Sequence, residues 1–265
     1  MTTAESIKEV RARTGAKPVD CRKALLQTNG NVERAVELLG GKVVFKAQGL
    51  VVMHSAGPGE GALFELNCET DFITHDKSVV DLAQRLVRFA VDSAVADTSA
   101  LLAAEIEPGT TVRALIDQNA ARVGETLEAG RYARLKGTCV SSYLGGNRVG
   151  VLVQLQPRGQ EKIDEVTAKN IAAHIAEAKP EYITRDEVPA EEIEQLREFT
   201  EGKARLEDKP ETAIPKLVEE QVNAHYRNRV LVEQEFITDP TKTVGTLLDS
   251  AQITVERFIR FAVGE

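Results

Sequence analysis

The stretch Asn67-Cys68-Glu69-Thr70-Asp71-Phe72-Ile73-Thr74 places an acid and a bare phenylalanine where two periodicities meet. The alternating apolar residues Ala62, Phe64, Leu66 and Cys68 end there, and a helix-period pattern begins a few residues later. A strand-to-helix corner presents side chains outward on a rigid support. This one carries neither a nucleophile nor metal-ligand spacing, so the chemistry open to it is contact with a partner. The plainer alternative is local: Asp71 caps the following helix and Phe72 packs onto that helix near Val79.

The rest of the chain offers little catalytic chemistry. It has no GxxxxGK[ST] phosphate loop and no GxGxxG after a strand, so it is not expected to bind nucleotide. A GxSxG elbow and an HExxH helix are also missing. His54, His75, His174 and His225 are scattered, and a satisfied or solvated histidine accounts for each. The carboxylates lie mainly on helix faces, where solvation explains them. The expectation is a protein with no catalytic residues, no metal and no cofactor. Cys21, Cys68 and Cys139 are odd in number and far apart with no CxxC pair, which points to a reducing compartment. With no basic and apolar leader at Met1–Glu5 and no apolar run approaching roughly 18 to 20 residues, a cytoplasmic protein without a membrane span is expected.

Of the 265 residues 42% are hydrophobic and 28% charged, an ordinary balance for a globular chain. The net charge of −8 argues against direct nucleic-acid binding. It is unevenly spread: residues 1–42 hold eight Lys/Arg against five Asp/Glu, whereas the remainder holds 25 against 36. A basic module precedes an acidic body.

Stepping along the elements, residues 2–39 predict three short helices. Thr2 and Glu5 fit a capping box, Gly15 a C-terminal stop, Asn29-Gly30 a second stop, Asn31 a cap and Gly40-Gly41 a third stop. The inward faces are Ile7 and Val10, then Cys21, Ala24, Leu25 and Thr28, then Val32, Ala35, Val36 and Leu39. This layout is similar to ubiquitin-associated domains. A connector over 42–50 leads to a hairpin of Leu50–Met53 and Ala62–Cys68, then helices near 76–94, 99–106 and 112–123. Strands at 131–143 and 149–155, joined by Gly145-Gly146-Asn147-Arg148, precede a helix over 163–178, so strand–strand–helix recurs. The charged segment 189–229 predicts two antiparallel helices in a projecting hairpin. A strand at 230–235, a helix at 244–250 and a strand at 254–263 close the chain. The class is α+β: a three-helix module over 1–41, and a two-part α+β core with antiparallel sheets over 42–130 and 131–265.

Four motifs in order give this chain a family resemblance. Arg11-Ala12-Arg13-Thr14-Gly15-Ala16 with Asp20-Cys21-Arg22-Lys23-Ala24-Leu25, then Glu69-Thr70-Asp71-Phe72, resemble the opening and central motifs of the elongation factor Ts family. Asp239-Pro240-Thr241-Lys242-Thr243-Val244-Gly245 and Phe258-Ile259-Arg260-Phe261-Ala262-Val263-Gly264 are similar to its C-terminal block. The resemblance implies a translation factor that exchanges guanine nucleotide on elongation factor Tu, with no small-molecule substrate of its own. It implies that Thr70, Asp71, Phe72 and Ile73 act on the partner's magnesium site. It further implies partner contacts at Arg11, Pro18, Val19, Arg22, His174, Ile237 and Thr238. The chain departs from the family's usual pattern at Lys17-Pro18-Val19, at His75 and in its short connector. A second reading keeps the same fold as a diverged protein-binding scaffold without exchange activity.

Overall fold

Short amphipathic helices are stable only when their apolar faces meet, and the described residues among the first forty do this with a small shared core. The computed structural model describes residues 6, 7, 10, 11, 14, 16, 18–28, 32–39, 48–159 and 162–265. Ser6, Ile7, Val10, Arg11 and Thr14 are helical, α1 runs Pro18–Gln27 and α2 runs Val32–Leu38. Val10, Cys21, Ala24, Leu25, Ala35 and Val36 are buried together, with Ile7, Val32 and Leu39 at the edge. These are the faces the helical spacing predicts. The expected capping box at Thr2 and Glu5, the cap at Asn31, the stops at Gly15, Asn29-Gly30 and Gly40-Gly41, and the connector up to Ala47 lie outside the described residues.

The body begins with a long hairpin, β1 (Gln48–Gly57) and β2 (Glu60–Cys68), paired from Gln48↔Cys68 to Gly57↔Glu60. β5 (Leu127–Lys136) pairs antiparallel with the other edge of β2, giving the order β1-β2-β5. Being central, β2 is buried on both faces, which is why its sequence is nearly continuously apolar. Leu50, Val52, Ala62, Phe64 and Leu66 point to one face, where α3 (Lys77–Asp92) supplies Val79, Leu82, Ala83, Leu86, Val87 and Ala90. Helices α4 (Thr98–Ala103) and α5 (Val112–Val123) complete that side. The small hairpin β3 (Glu105–Glu107) and β4 (Thr110–Thr111) lies between them.

The second half repeats the plan. β6 (Cys139–Gly145) and β7 (Val149–Pro157) form a hairpin whose turn has Gly146 and Asn147 at φ 56° and 55°. Two left-handed residues in a row are what a type I′ turn requires, so the Gly-Asn pair is read correctly from sequence. α6 (Glu165–Ala178) packs Ala168, Ile171, Ala172 and Ile175 onto Val151, Val153 and Leu155. β10 (Ile253–Ala262) adds to β7, giving β10-β7-β6.

The two sheets lie face to face. Val51, Leu63 and Leu135 of the first meet Val140, Leu152 and Phe261 of the second in a shared core. The layers are therefore helix, sheet, sheet, helix. From Tyr182 onward a separate unit appears: α7 (Ala190–Leu206) and α8 (Ile214–Arg229) pack antiparallel around Val188, Ile193, Ala204, Ile214, Val218, Val222 and Val230. The chain ends with β8 (Glu235–Phe236), β9 (Asp239–Thr243), α9 (Val244–Ser250) and β10.

Two expected strands differ. The run 131–143 is two strands in two sheets, because Gly137 N–H donates to Gly59 O (2.9 Å) and Val140 N–H to Pro58 O (2.8 Å), carrying the chain across the body. The run 230–235 is mostly a turn. Val230 belongs to the hairpin core while Leu231 and Phe236 belong to the second half's core, so no single extended segment serves both.

Candidate functional site

The corner is built where β2 runs out. After the last backbone pair, Cys68↔Leu127, the chain turns into a 3₁₀ segment, Asp71–His75. The Thr74 hydroxyl donates to Asp71 O (2.6 Å), and Asp76 N–H donates to Ile73 O (3.1 Å). Asp76 then caps α3, its carboxylate accepting from the N–H groups of Ser78 (2.8 Å) and Val79 (3.3 Å). The Ser78 hydroxyl and these amides hold the Asp76 carboxyl below the ordinary carboxylate value.

Because Asp76 fills the cap, Asp71 has no such task and its side chain is exposed. Phe72 is 85% exposed and makes no staple with Val79. The local alternative for this pair therefore fails on both counts. Ile73 is half-buried against the first core, anchoring the turn beneath Phe72. Cys68 is buried, its thiol donating to Thr70 O (3.0 Å). Burial, and next the Glu125 carboxylate, push its pKa up to about 11, so it stays a thiol and serves as packing.

His174 lies elsewhere, wholly buried on α6. Its Nε2 is 3.0 Å from Gln234 Oε1, and its Nδ1 accepts from Ile237 N–H at 3.3 Å. Gln234 Nε2 donates to Asn228 O (2.9 Å) and Ala178 O (3.2 Å), which aims its Oε1 at the ring. Burial lowers the His174 pKa. The structure thus brings His174 together with Ile237, which is 41% exposed in the β8–β9 turn beside exposed Thr238. In the first module Arg11, Val19 and Arg22 are exposed, Val19 by 64%, and Pro18 opens α1.

Two residues next to the corner escape a reading by motif. Glu125-Thr126 precedes β5 just as Glu69-Thr70 follows β2, and the antiparallel register sets each pair opposite the other. Thr70 N–H and hydroxyl both donate to the Glu125 carboxylate, and Thr126 N–H and hydroxyl both donate to that of Glu69. The repeated Glu-Thr dipeptide is the only trace of this in the sequence.

Among the described residues no group of His, Cys, Asp and Glu is arranged to hold a metal, and no helix is long and apolar enough to cross a membrane. Residues 69–265 match the family described as Elongation factor TS, and residues 15–39 match the UBA/TS-N domain. The chain is 42% identical to "Elongation factor Ts" of Salinispora tropica and 40% identical to that of Kineococcus radiotolerans. Each alignment covers 99% of this chain and 98% of the relative. The same name is carried by an Acidothermus cellulolyticus protein, 40% identical over 100% of this chain and 98% of its own. With an α+β body behind a UBA/TS-N module and relatives matched end to end, this chain belongs to the elongation factor Ts family of translation elongation factors.

Proposed function

We propose that this chain is a guanine-nucleotide exchange factor for elongation factor Tu, binding the GDP-bound GTPase, displacing its Mg2+ and promoting GDP release so that GTP can reload. The observation that carries this reading is Phe72, a large apolar side chain 85% exposed on a turn tied down at both ends, with exposed Asp71 beside it. An apolar group of that size held in water is poised to be buried by another protein.

A GTPase grips GDP through phosphate-loop amides and a magnesium ion that demands near-ideal octahedral geometry. A small displacement of the groups around that ion weakens it disproportionately. Any protein that binds only the displaced arrangement weakens nucleotide by the coupling free energy with which nucleotide weakens it. Phe72 acts as the wedge between partner elements and Asp71 perturbs the network around the ion, while Thr70 and Ile73 hold the turn. Arg11, Pro18, Val19 and Arg22 of the 1–41 module make a second contact, and Ile237 and Thr238 a third. His174, being buried, serves through the backbone of Ile237. The chain works in the cytoplasm without a cofactor, nucleic acid, membrane or small-molecule substrate, and it has no catalytic residue of its own.

Release of labelled GDP from purified elongation factor Tu tests this. The parent chain is expected to accelerate release. Phe72→Ala is expected to lower that acceleration roughly 10- to 100-fold, the equivalent of losing one buried aromatic side chain. Equal rates for Phe72→Ala and the parent would end the role given to Phe72. A parent with no effect on release would leave the scaffold reading in its place.

A further inference from the structure

The structure assigns a positioning role to the reciprocal Glu-Thr pairs behind the corner: Glu125 through Thr70, with Glu69 through Thr126, holds Phe72 in its presented geometry. This rests on the exchange reading above and extends it to residues outside the Thr-Asp-Phe motif.

β2 and β5 stop exchanging backbone hydrogen bonds at Cys68↔Leu127. Antiparallel strands whose ladder ends are free to splay, and the next residue pairs are Glu69 with Thr126 and Thr70 with Glu125. In each, a carboxylate takes both the amide and the hydroxyl of the threonine opposite. The two rungs point in opposite directions, so splaying must break both. Beyond them lies only Asp71 before Phe72, and the far side of the turn is fixed by Thr74, Ile73 and the Asp76 cap. Phe72 therefore stands on a backbone clamped on both sides. Preorganising a contact residue removes the ordering cost that docking would otherwise carry.

Glu69 and Glu125 line an open groove of about 600 Å³ between α5 and the start of β5, Glu69 exposed and Glu125 half-buried. Shortening either leaves no hole in a core. Gln at 125 keeps both contacts, its oxygen accepting from Thr70 N–H and its amide donating to Thr70 Oγ1. Gln at 69 retains one oxygen for Thr126.

The test uses the full chain in two assays. In the first, GDP release from elongation factor Tu is followed against factor concentration for the parent, Glu125→Ala and Glu125→Gln. Glu125→Ala is expected to lower the maximal rate about tenfold, as displacement of a positioned group does, with the half-saturating concentration changed less than about twofold because the other contacts remain. Glu125→Gln is expected to recover most of the rate. In the second, chymotrypsin cleavage after Phe72 is timed with no partner present. Glu125→Ala is expected to be cut several-fold faster than the parent, at an unchanged Tm. Unchanged cleavage, or an alanine variant as active as the parent, overturns the positioning role. A parent that does not accelerate GDP release, with cleavage faster in the alanine variant, overturns the exchange reading and with it the assignment of these pairs to a reaction. Equal losses in the alanine and glutamine variants would place the effect in charge and also overturn it.

Discussion

His174 Nδ1 accepts a hydrogen bond from Ile237 N–H, so the folded ring is deprotonated at that atom, with Nε2–H donating to Gln234. Protonating Nδ1 would break the tie to Ile237 and leave a charge in an apolar pocket beside Phe236, whose ring centre is 5.7 Å away. Burial accordingly lowers the folded pKa from the ordinary 6.5. The unfolded chain then binds the proton at a higher pH than the folded one. The contribution of neutral His174 is fully present above about pH 6.5 and is lost as pH falls from there towards the lowered folded value. Thermal melts from pH 8 to pH 5 should show Tm falling on the acid side. His174→Gln, less stable at pH 8, should show a shallower fall. Parallel curves would mean that His174 is not the group responsible. At this scale the sequence is legible for the corner itself, but it leaves Phe72 open between presentation to a partner and packing near Val79, which the Asp76 cap and the 85% exposure of Phe72 decide. It is not legible for His174, because a helical histidine at core spacing reads the same whether it faces a partner or a glutamine sixty residues away.

Strands and helices are placed by their periodicities, but how two sheets approach is decided by what is missing between them. A Cβ built on Gly150 of β7 would stand 2.6 Å from Val51 Cγ1 and 2.8 Å from Leu63 Cδ2, both inside the shared core. Those side chains are fully buried and have nowhere to move. Gly150→Ala should therefore cost about 1–3 kcal/mol in urea unfolding through overpacking, and Gly150→Val more. A change near zero would show that the sheets can shift apart at this point. By contrast, nothing lies within 4 Å of a Cβ at Gly146, where only the left-handed backbone favours glycine. The sequence presents Gly150 as one more glycine in a strand, since its neighbour is a hundred residues away. The same reason hides the crossing at Gly137, where an alternating run passes from one sheet to the other. It also hides the Glu-Thr rungs, visible only once β2 and β5 are in register.

The molecule as a whole divides by shared cores rather than by chain order. The two α+β halves meet through Val51, Leu63, Leu135, Val140, Leu152 and Phe261, so neither can unfold without exposing the other. The α7–α8 hairpin instead packs on a core of its own. At its base Arg229 pairs with Glu181 and Glu192 while its guanidinium stacks over Tyr182 at 5.3 Å, and Leu231 N–H donates to Tyr182 O (2.8 Å). Farther out, Arg197 and Glu219 bridge the two helices at 2.5 Å, an exposed pair of small energetic value. The helical spacing of Ile193, Leu196, Leu217 and Val222 makes the hairpin readable from sequence, whereas its ionic base draws on residues more than thirty positions apart. Replacing residues 198–218 with a short glycine-rich turn removes Ala204, Ile214 and Val218 from the hairpin core but leaves Val188, Ile193, Val222 and Val230 at the base. The Tm of the body should then shift by no more than about 4 °C, the equivalent of roughly 1 kcal/mol in a domain of this size. A much larger fall in the same melt would mean that the distal hairpin stabilises the body through contacts beyond its own core.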